Sequence, residues 1–447
     1  MGTFSSKFKI TPQPIIAHID MNSYFATVEQ QDKPEWRGQP VGVCEHLGGI
    51  IIAASVQAKK WGIKTGTPVW EAKKLYPKIH LTKTHPERYR FYTNKFLKVF
   101  GDYTDRIEKY SIDEAFLDLT KACNVRTKQN GEWVLCDPWE EAERIIREIK
   151  TRMITEVGDY ITCSAGVSYT KLVAKIASDL QKPNGLTIVR PQDRSSLYSR
   201  LKLQDIPGIG GRMEKSLNRL GIKTLANLRD FPLTKLVAHY GIQGYHLHSM
   251  GQLEGSWKED FDEIPGQSDG KMKSIGHMYT VPLEYRTQKI MRPVLYKLSE
   301  MVASRLRVNG VMGGGIHVHV YNPNGFHVSK GRKLNFFLQD GRDIYMEAMN
   351  LLKLSGYLRE AEEHTYLVGV TVSGLVPESG QPSLFQNKQD RTNLNSAMDK
   401  INKKYEDFTI ARVPAFLARD IIRDSVGFGR MKEFKTTFMK GGQGGFK

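Results

Sequence analysis

The sequence predicts a multidomain protein that combines an α/β region with a helical region and a smaller α+β region. A chain of 447 residues is too long for one hydrophobic core and suggests three or four domains. Strands and helices alternate up to about residue 190, which is typical of a mixed α/β domain. Near Leu201 the pattern changes to short helices joined by glycine turns, and from Ser274 an α+β pattern follows.

The first region carries the α/β elements. It begins with a buried strand at Ile15–Ile19, and two further strands follow, joined by a turn that contains glycine. Apolar and aromatic residues at helical spacing predict a long helix at Glu87–Tyr103. The remaining elements are strands at Pro40–Cys44, Ile50–Ala54, Arg106–Tyr110, Ala115–Leu119 and Ile161–Val167, helices at Ser55–Trp61, Glu140–Ile154 and Lys171–Leu180, and a loop or hairpin insertion at Thr120–Asp137.

The later regions contain shorter elements. A glycine turn at Pro207–Gly210 leads into helices at Met213–Leu220 and Leu225–Arg229, so that a hairpin joins two helical segments. Residues 262–273 are rich in Gly, Pro, Ser and charged residues and predict a linker. The α+β region has helices at Met291–Val308 and Ile344–Leu352 and strands at Gly315–Tyr321 and Tyr366–Val372, and a polar tail with one helical stretch at Leu394–Tyr405 follows.

Charge and cysteine content narrow the class of protein. The formal net charge of +17 favours a polyanionic partner through steering and counterion release, and nucleic acid is the leading candidate. The four cysteines include no Cys-x-x-Cys pair, which argues against a zinc or redox motif and fits reduced thiols in the cytoplasm. No apolar run approaches the roughly 20 residues of a membrane span, so no membrane association is expected.

Two short acidic stretches stand far apart in the chain. One runs from His18 to Phe25 and the other from Tyr110 to Phe116, and each places carboxylates beside a predicted strand. Carboxylates gathered from neighbouring strands repel one another unless cations lie between them. Oxygen ligands with room for water and phosphate suit Mg²⁺, and paired ions serve phosphoryl transfer. The predicted metal ligands are Asp20, Asp113, Glu114 and the backbone carbonyl of Met21.

Aromatic and basic residues accompany these carboxylates. Tyr24 and Phe25 follow Asp20, and we expect one ring in the core and the other under the sugar of a bound nucleotide, where it would exclude a 2′-hydroxyl group. Four lysines lie near the predicted site: Lys59, Lys171, Lys175 and Lys182.

Each of these lysines alone is interpretable as a solvated surface residue. Together they would neutralise a triphosphate opposite the carboxylates.

The glycine turn is a candidate phosphate-binding site. Glycines at a helix N-terminus let backbone N–H groups approach phosphate oxygens, and such contacts do not read base sequence. The alternative is a plain C-terminal helix cap. The residues concerned are Pro207, Gly208, Ile209 and Gly210. His317 and His319 alternate along a predicted strand and share a face, but without a third ligand they are interpreted as strand-surface residues.

The ordered motifs resemble those of Y-family, lesion-bypass DNA polymerases, nearest to the DNA polymerase IV branch. The resembling segments occur in the family's order over most of the chain. They are HIDMNSYFATVE (18–29), YSIDEAFLDL (110–119), GVSYTKLVAKIASDLQKPNG (166–185), IPGIG (206–210) and KSIG (273–276).

The resemblance implies a right-hand polymerase with a palm, small fingers, a helix-hairpin-helix thumb and a little-finger domain. By motif position Asp20, Asp113 and Glu114 match the metal ligands, of which Asp113 and Glu114 are also predicted to be catalytic. Phe25 matches the steric gate against ribonucleotides, and the hairpin at Pro207–Gly210 matches the element that grips the duplex backbone. The implied domains are residues 1–23 and 86–189 (palm), 24–85 (fingers), 190–261 (thumb), 262–273 (linker), 274–375 (little finger) and 376–447 (polar tail).

The triphosphate contacts depart from the family pattern. Tyr24, Lys59 and Lys182 are predicted to bind the triphosphate, and Lys182 matches a family lysine. The family usually has Tyr-x-x-Arg on the fingers helix, but here Val56 and Lys59 stand at those positions. Valine cannot donate a hydrogen bond, and lysine replaces a bidentate fork with a point charge. The resemblance therefore leaves open whether nucleotide affinity is weaker or a neighbour substitutes.

A second short motif lies in the predicted polar tail. Gln381, Leu384 and Phe385 belong to a pentapeptide that resembles the bacterial sliding-clamp-binding motif. An extended segment with such anchors docks into a hydrophobic groove, and tethering raises the local concentration of the enzyme at the primer end. The alternative is an incidental apolar pair in the tail.

The predicted function is template-directed DNA synthesis for lesion bypass, with low fidelity and no proofreading. Two Mg²⁺ ions are the predicted cofactors, and Mn²⁺ is expected to substitute. The predicted partners are primer–template DNA, dNTPs and the bacterial sliding clamp, with a monomeric enzyme in the cytoplasm at the nucleoid. The alternatives are a two-metal nuclease, which would shorten the primer, and a non-catalytic clamp-bound adaptor of the same fold.

Overall fold

The computed structural model describes two compact units of the chain. It describes residues 13–45, 49–129, 132–254, 272–286, 290–322, 327–357, 365–378, 388–405, 408–419 and 421–422. The described residues up to Glu254 form the first unit, and those from Met272 to Ile422 form the second.

Among the residues that the structure describes, the first unit contains three sheets and most of the helices. Its strands are β1 (Ile16–Met21), β2 (Val41–Cys44), β3 (Ile51–Ala54), β4 (His80–Lys83), β5 (Ile107–Lys109), β6 (Glu114–Asp118), β7 (Arg126–Gln129), β8 (Glu132–Leu135), β9 (Cys163–Ser168) and β10 (Leu186–Ile188). Its helices are α1 (Tyr24–Asp32), α2 (Val56–Lys60), α3 (Val69–Leu75), α4 (Pro86–Gly101), α5 (Pro138–Arg152), α6 (Lys171–Leu180), α7 (Arg194–Arg200), α8 (Gly211–Arg219), α9 (Leu225–Asp230), α10 (Leu233–Tyr240) and α11 (Ile242–Gly251).

A five-stranded sheet with the order β10-β9-β1-β6-β5 forms the centre of this unit. Strand β1 runs antiparallel to both β6 and β9. Side chains alternate between the faces of a strand, so Ala17, Ile19 and Met21 share one face and join the buried core that α4 and α5 complete. The opposite face of β1 lies under α6, where Ile16 packs with Phe116 and Ala174.

Helix α6 lies directly on β9 because Gly166 has no side chain. A Cβ atom at Gly166 would collide with the backbone of Ala174 and Ser178. The outer side of α6 contributes Leu172, Val173 and Ile176 to the core of the helical cluster formed by α7–α11. One helix therefore covers the central sheet and also forms a wall of the helical cluster.

A three-stranded sheet with the order β3-β2-β4 forms a smaller body with α2 and α3. Ser55 caps α2, since its Oγ accepts a hydrogen bond from the amide of Ala58, and Gly62 ends the segment with a positive φ of 78°. Helix α1 is shared, because Tyr24 and Val28 lie in the core of the central sheet, whereas Ala26 packs with β2 and β3.

The second unit is a four-stranded antiparallel sheet covered by helices. Its elements are β11 (Ser274–Thr280), α12 (Met291–Val308), β12 (Val311–Tyr321), β13 (His327–Leu338), α13 (Gly341–Leu354), β14 (Leu367–Pro377), α14 (Lys388–Tyr405) and α15 (Val413–Phe416). The strand order is β11-β14-β12-β13. The core lies between the sheet and the two helices α12 and α13, and Ala418, Ile421 and Ile422, which follow α15, are buried in it.

The C-terminal residues correct the predicted polar tail. Helix α14 begins at Lys388 rather than at Leu394, and Arg307 binds Asp399 through two hydrogen bonds of 2.6 and 2.8 Å. The Lys297 ammonium also donates to the carbonyl of Ile422 at 2.6 Å. Residues 388–422, as far as they are described, therefore belong to the second unit rather than to a tail.

Several elements were not predicted from the sequence. No prediction corresponded to the strands β4, β10, β11 and β13 or to the helices α1, α3, α7, α10, α11 and α15. The insertion at Thr120–Asp137 does form the hairpin of β7 and β8. In the part of the chain that the structure covers, no helix is long and apolar enough to cross a membrane.

Candidate active site

The site lies where β1 and β6 run side by side. Asp20 is the register partner of Glu114, and the amide of Met21 donates to the carbonyl of Asp113 at 2.9 Å. His18 and Asp20 lie on the face of β1 that α6 covers, since they alternate with the buried residues of the opposite face. The pairing therefore brings together the three carboxylates that the sequence places far apart.

The carboxyl groups of Asp20 and Asp113 both have a raised pKa. Burial raises the pKa of Asp20, and the negative charge of Asp113 raises it further. Burial also raises the pKa of Asp113, against a hydrogen bond from the Ser111 hydroxyl, and the charge of Glu114 adds to the increase. Two buried carboxylates that repel each other favour a bound cation.

Glu114 is held in the ionised form by two partners. Burial alone would raise its pKa, but a hydrogen bond from His18 and the charge of Lys175 outweigh it and lower the pKa of Glu114 to about 2. His18 Nε2 lies 3.0 Å from Glu114 Oε2, and His18 Nδ1 lies 2.8 Å from Ser178 Oγ on α6. The Lys175 ammonium, also from α6, forms an ion pair with Glu114. Helix α6 thus fixes the orientation of this carboxylate.

Lys182 is paired with Asp20. Its Nζ lies 3.1 Å from Asp20 Oδ2 and 2.7 Å from Asp179 Oδ1. Burial lowers the pKa of the Lys182 ammonium, but the two carboxylates outweigh this effect and raise it. Burial lowers the pKa of Lys59, and the positive charge of Lys182 lowers it further. The negative charge of Asp20 opposes both effects. Lys182 therefore contacts a carboxylate of the site, whereas Lys59 lies within electrostatic range of Asp20.

Asn22 secures the turn that carries Lys182. Its Oδ1 accepts hydrogen bonds from the Asn184 amide at 2.7 Å and from the Thr162 hydroxyl at 3.1 Å. Its side-chain amide donates to Ser164 at 2.9 Å. A single residue after β1 therefore fixes the turn after α6 relative to the sheet.

Tyr24 and Phe25 have different surroundings. The Tyr24 ring is buried, and its hydroxyl donates to the carbonyl of Tyr89 at 2.7 Å, whereas the prediction that Tyr24 binds the triphosphate stays a prediction. Phe25 is half-buried and stacks on Tyr89 with ring centroids 4.3 Å apart and an interplanar angle of 12°. Phe25 thus presents a rigid, partly exposed ring beside the first acidic stretch.

The carboxylates are turned towards cationic side chains. Among the described residues, no three Asp, Glu, His or Cys side chains converge as a ready metal site, because Asp20 faces Lys182 and Glu114 faces Lys175. The charges nevertheless fit divalent cations, since burial and mutual repulsion already raise the pKa of Asp20 and of Asp113. A cation would therefore take over a role that lysines fill here. Lys171 is committed elsewhere, in an ion pair with Glu108.

The glycine turn precedes α8 in the helical cluster. Gly208 has a positive φ of 99°, and Gly210 is the N-cap residue of α8. The Ile209 side chain is buried, and its amide donates to the carbonyl of Ile206 at 3.0 Å. The prediction that Pro207, Gly208, Ile209 and Gly210 bind DNA stays a prediction. The first amides of α8, which have no partner within the helix, are further candidate donors to phosphate.

Two further predictions have separate outcomes. Val56 is the first residue of α2 and is half-buried, which gives no polar group at that position. Gln381, Leu384 and Phe385 lie outside the described residues.

Matches to family models cover most of the described chain. The model of the impB/mucB/samB family matches residues 19–179, and that of its C-terminal domain matches residues 272–384. Between them, residues 204–252 match the model described as the DNA polymerase-iota thumb domain.

Relatives and solved structures agree with these matches. The DNA polymerase IV of Moorella thermoacetica is 33% identical over 408 residues, which cover 90% of this chain and 96% of that protein. The DNA polymerase IV of Listeria monocytogenes is 31% identical over 369 residues, which cover 81% and 95%. A Y-family DNA polymerase chimera of Dbh and Dpo4 has a TM-score of 0.66 at 27% identity and covers 81% of this chain and 99% of its own. An insertion ternary complex of Dbh DNA polymerase has a TM-score of 0.51 at 26% identity, with the same coverage.

The fold and these matches define a right-hand polymerase with palm, fingers, thumb and little-finger regions. The chain belongs to the Y-family of DNA polymerases. It is therefore a DNA-directed DNA polymerase of the lesion-bypass class, and the resemblance seen in the sequence is confirmed. Membership also implies dependence on divalent cations.

The sequence predicted no role for His18 or Asn22, and it predicted a triphosphate contact rather than an ion pair with Glu114 for Lys175. His18 alternates with Asp20 along β1, so the strand period could have placed both on one face, and Asn22 follows directly after the strand. The partnership of Lys175 with Glu114 depends on how α6 lies across the sheet, and no local pattern reports that.

Proposed function

We propose that this chain extends a primer opposite damaged template bases by a two-metal mechanism. The primer 3′-hydroxyl attacks the α-phosphate of a dNTP, and pyrophosphate leaves. The proposal rests chiefly on the pairing of Asp20 with Glu114, next to the hydrogen bond between Met21 and Asp113. Primer–template DNA and dNTPs are the proposed substrates, in keeping with the ternary complex formed by the Dbh polymerase.

The carboxylates are the proposed ligands of two Mg²⁺ ions. Asp20, Asp113, Glu114 and the backbone carbonyl of Met21 would hold them, and Mn²⁺ would substitute. When bound, such ions lower the pKa of the attacking hydroxyl and neutralise charge on the phosphates. Asp113 and Glu114 orient the reacting groups, and His18 and Lys175 keep Glu114 ionised until the site is filled. Positioning and electrostatics supply most of the acceleration.

Side chains around the carboxylates are proposed to select and bind the nucleotide. Lys59 and Lys182 would contact the triphosphate, since both already lie in the field of Asp20. Phe25 would act as the steric gate, because its stack on Tyr89 prevents the ring from yielding to a 2′-hydroxyl group.

The rest of the chain is proposed to hold DNA. The N-terminus of α8, with Gly208 and Gly210 before it, would bind the duplex backbone without reading sequence, and the net charge of +17 favours such binding. We propose that Gln381, Leu384 and Phe385 bind the bacterial sliding clamp and that the enzyme is a monomer at the nucleoid, with low fidelity and without proofreading.

Primer extension tests the proposal directly. The full chain with primer–template, Mg²⁺ and dNTPs should lengthen the primer, and Asp113→Asn should reduce the rate at least about 100-fold. The matched control is Asp105→Asn, an exposed carboxylate outside the site, which should leave the rate unchanged. Shortening of the primer would favour a nuclease, and no change in the primer would favour a non-catalytic adaptor.

A further inference from the structure

The fingers region has an unusual surface composition. Between Val56 and Lys83 the chain carries seven lysines and one acidic residue, Glu71. Among the described residues, none of these lysines lies within ion-pair distance of a carboxylate. Helix α5 is different, since Arg144 and Arg147 each bind a glutamate. The positive charge of residues 56–83 is therefore not neutralised by ion pairs within the part of the chain that the structure describes.

Two tryptophans stand among these lysines and face solvent. The Trp70 side chain is 69% exposed and that of Trp61 is 54% exposed. Tryptophan is highly buried on average, so an isolated fold gains nothing from either exposure. Large exposed aromatic groups on a charged surface are typical of a binding site.

Helix α3 places these residues on one surface. Its inner side buries Val69 and Ala72, and Trp70, Lys73 and Lys74 follow the i, i+3, i+4 spacing that puts side chains on a common face. Trp61 packs against Tyr76, which caps the C-terminus of α3, with ring centroids 5.1 Å apart. A stacking ring thus lies at each end of a short basic helix. We call Trp61, Trp70, Lys73 and Lys74 the α3 surface.

We propose that the α3 surface binds single-stranded DNA, which goes beyond the polymerase function proposed above. Single strands expose base faces that stack on aromatic rings, while their phosphates attract lysines. Duplex DNA hides its base faces and offers no partner for the tryptophans. A polyanion also matches the unneutralised charge, whereas an acidic protein surface would not require two exposed rings.

Binding of a labelled 20-nucleotide oligo(dT) to the full chain in EDTA tests this inference. Fluorescence anisotropy should show at least about five-fold weaker binding for Trp61→Ala and for Trp70→Ala, and Trp70→Phe should retain most of the affinity because it keeps a ring. Lys73→Gln with Lys74→Gln should reduce the slope of log K against log salt by about 1.4, since each lost phosphate contact contributes about 0.7 for single strands.

Matched controls lie in the second unit. Lys403→Gln with Lys404→Gln removes the same charge from exposed positions of α14, and Leu354→Ala truncates an apolar side chain that is 72% exposed. Both should bind oligo(dT) like the unaltered protein. Equal binding by the α3-surface variants and the unaltered protein would overturn the proposal, as would equal losses in the control variants. An unchanged affinity together with loss of a protein partner would point to a protein-binding surface instead and would equally overturn it.

The polymerase site provides a separate measurement. Asp113→Asn should bind oligo(dT) normally and fail to extend a primer, whereas Trp70→Ala should extend a primer whose template ends one nucleotide beyond it. Normal primer extension by Asp113→Asn would contradict the proposed polymerase site. Normal oligo(dT) binding by Trp70→Ala would contradict the proposal for the α3 surface. The two proposals therefore fail by different observations.

Discussion

Lys182 and Asp20 form an ion pair, with 3.1 Å between Nζ and Oδ2, at the point where β1 meets the turn after α6. One partner is the proposed triphosphate lysine and the other is a proposed metal ligand. In the protein alone Lys182 is shared between Asp20 and Asp179, so it offsets only part of the negative charge around Asp20. Binding of a nucleotide with its cations would exchange this pair for two new ones, Asp20 to the metal and Lys182 to the phosphate.

Removal of the lysine should therefore weaken nucleotide binding. We expect Lys182→Ala to raise KM for dNTP about ten-fold or more, because a charge-assisted contact to phosphate is lost. Single-nucleotide incorporation at varied dNTP concentration measures this effect. Lys98→Ala, an exposed lysine of α4, is the control, and an unchanged KM in Lys182→Ala would remove the lysine from the triphosphate site.

Truncation of the stacked phenylalanine should relax sugar selectivity. In Phe25→Ala the ring that rests on Tyr89 is gone, and the volume it filled accepts a 2′-hydroxyl group. The ratio of kcat/KM for dNTP over rNTP should fall more than about ten-fold, since specificity here comes from a clash. Phe91→Ala, an exposed ring on α4, should retain the ratio. If both variants discriminate equally well, Phe25 is not the gate.

Restoring the family's guanidinium should improve nucleotide binding. Lys59 lies on α2 within the field of Asp20 and Lys182, and arginine would offer a bidentate fork in place of a point charge. We expect Lys59→Arg to lower KM for dNTP several-fold. The neighbour Lys60 provides the control, and an equal effect of Lys60→Arg would show that general charge geometry rather than position 59 is responsible.

Arg412 should be essential to the stability of the second unit. It donates to Glu300 at 2.5 Å and to Asp340 at 3.0 Å, and its loss leaves the buried Glu300 without that partner. We expect Arg412→Ala to destabilise the unit by about 3–5 kcal/mol, measured by hydrogen exchange of the amides in α12 and α13. Arg391→Ala breaks an exposed 3.5 Å pair with Asp343 and should cost less than about 1 kcal/mol. Equal protection in the two variants would contradict this account.

A methyl group at Gly166 should disturb both packing and activity. The added Cβ meets the backbone of α6 at Ala174 and Ser178, so Gly166→Ala should destabilise the first unit by about 1–3 kcal/mol. It should also slow primer extension, because Lys175 moves with the helix. Gly101→Ala, where no atom lies within 4 Å of the added carbon, is the control for thermal unfolding and for extension. If Gly166→Ala is destabilised but extends primers normally, the position of α6 does not determine the rate of primer extension.

The sequence predicted the core of the site because its signals are local. Strand alternation and the two acidic stretches predict that Asp20 and Glu114 lie at the ends of neighbouring strands, and the structure pairs them directly in register. The pairing of Asp20 with Lys182 was not predicted, because the lysine was expected to face only phosphate. Nor could sequence alone reveal that the Tyr24 hydroxyl is bonded inside the core, since an aromatic pair does not indicate which ring turns inward.

The elements missed in the second unit have physical causes. Most side chains of strand β13 are exposed and many are polar, so its sequence shows little alternation of apolar and polar residues. The C-terminal segment is polar along α14, and it joins the second unit through ion pairs such as Arg307 with Asp399 rather than through an apolar stripe. Such partnerships link residues distant in sequence, which periodicity does not detect.

Helix α6 connects two bodies with different tasks. One side sets Lys175 and Ser178 over Glu114 and His18, while the other side supplies Leu172 and Ile176 to the thumb core. A displacement of the thumb on binding a duplex would therefore move Lys175 and Ser178 relative to Glu114 and His18. Because α6 contacts both the thumb core and the carboxylate site, a poorly aligned duplex would change the position of the Glu114 carboxylate.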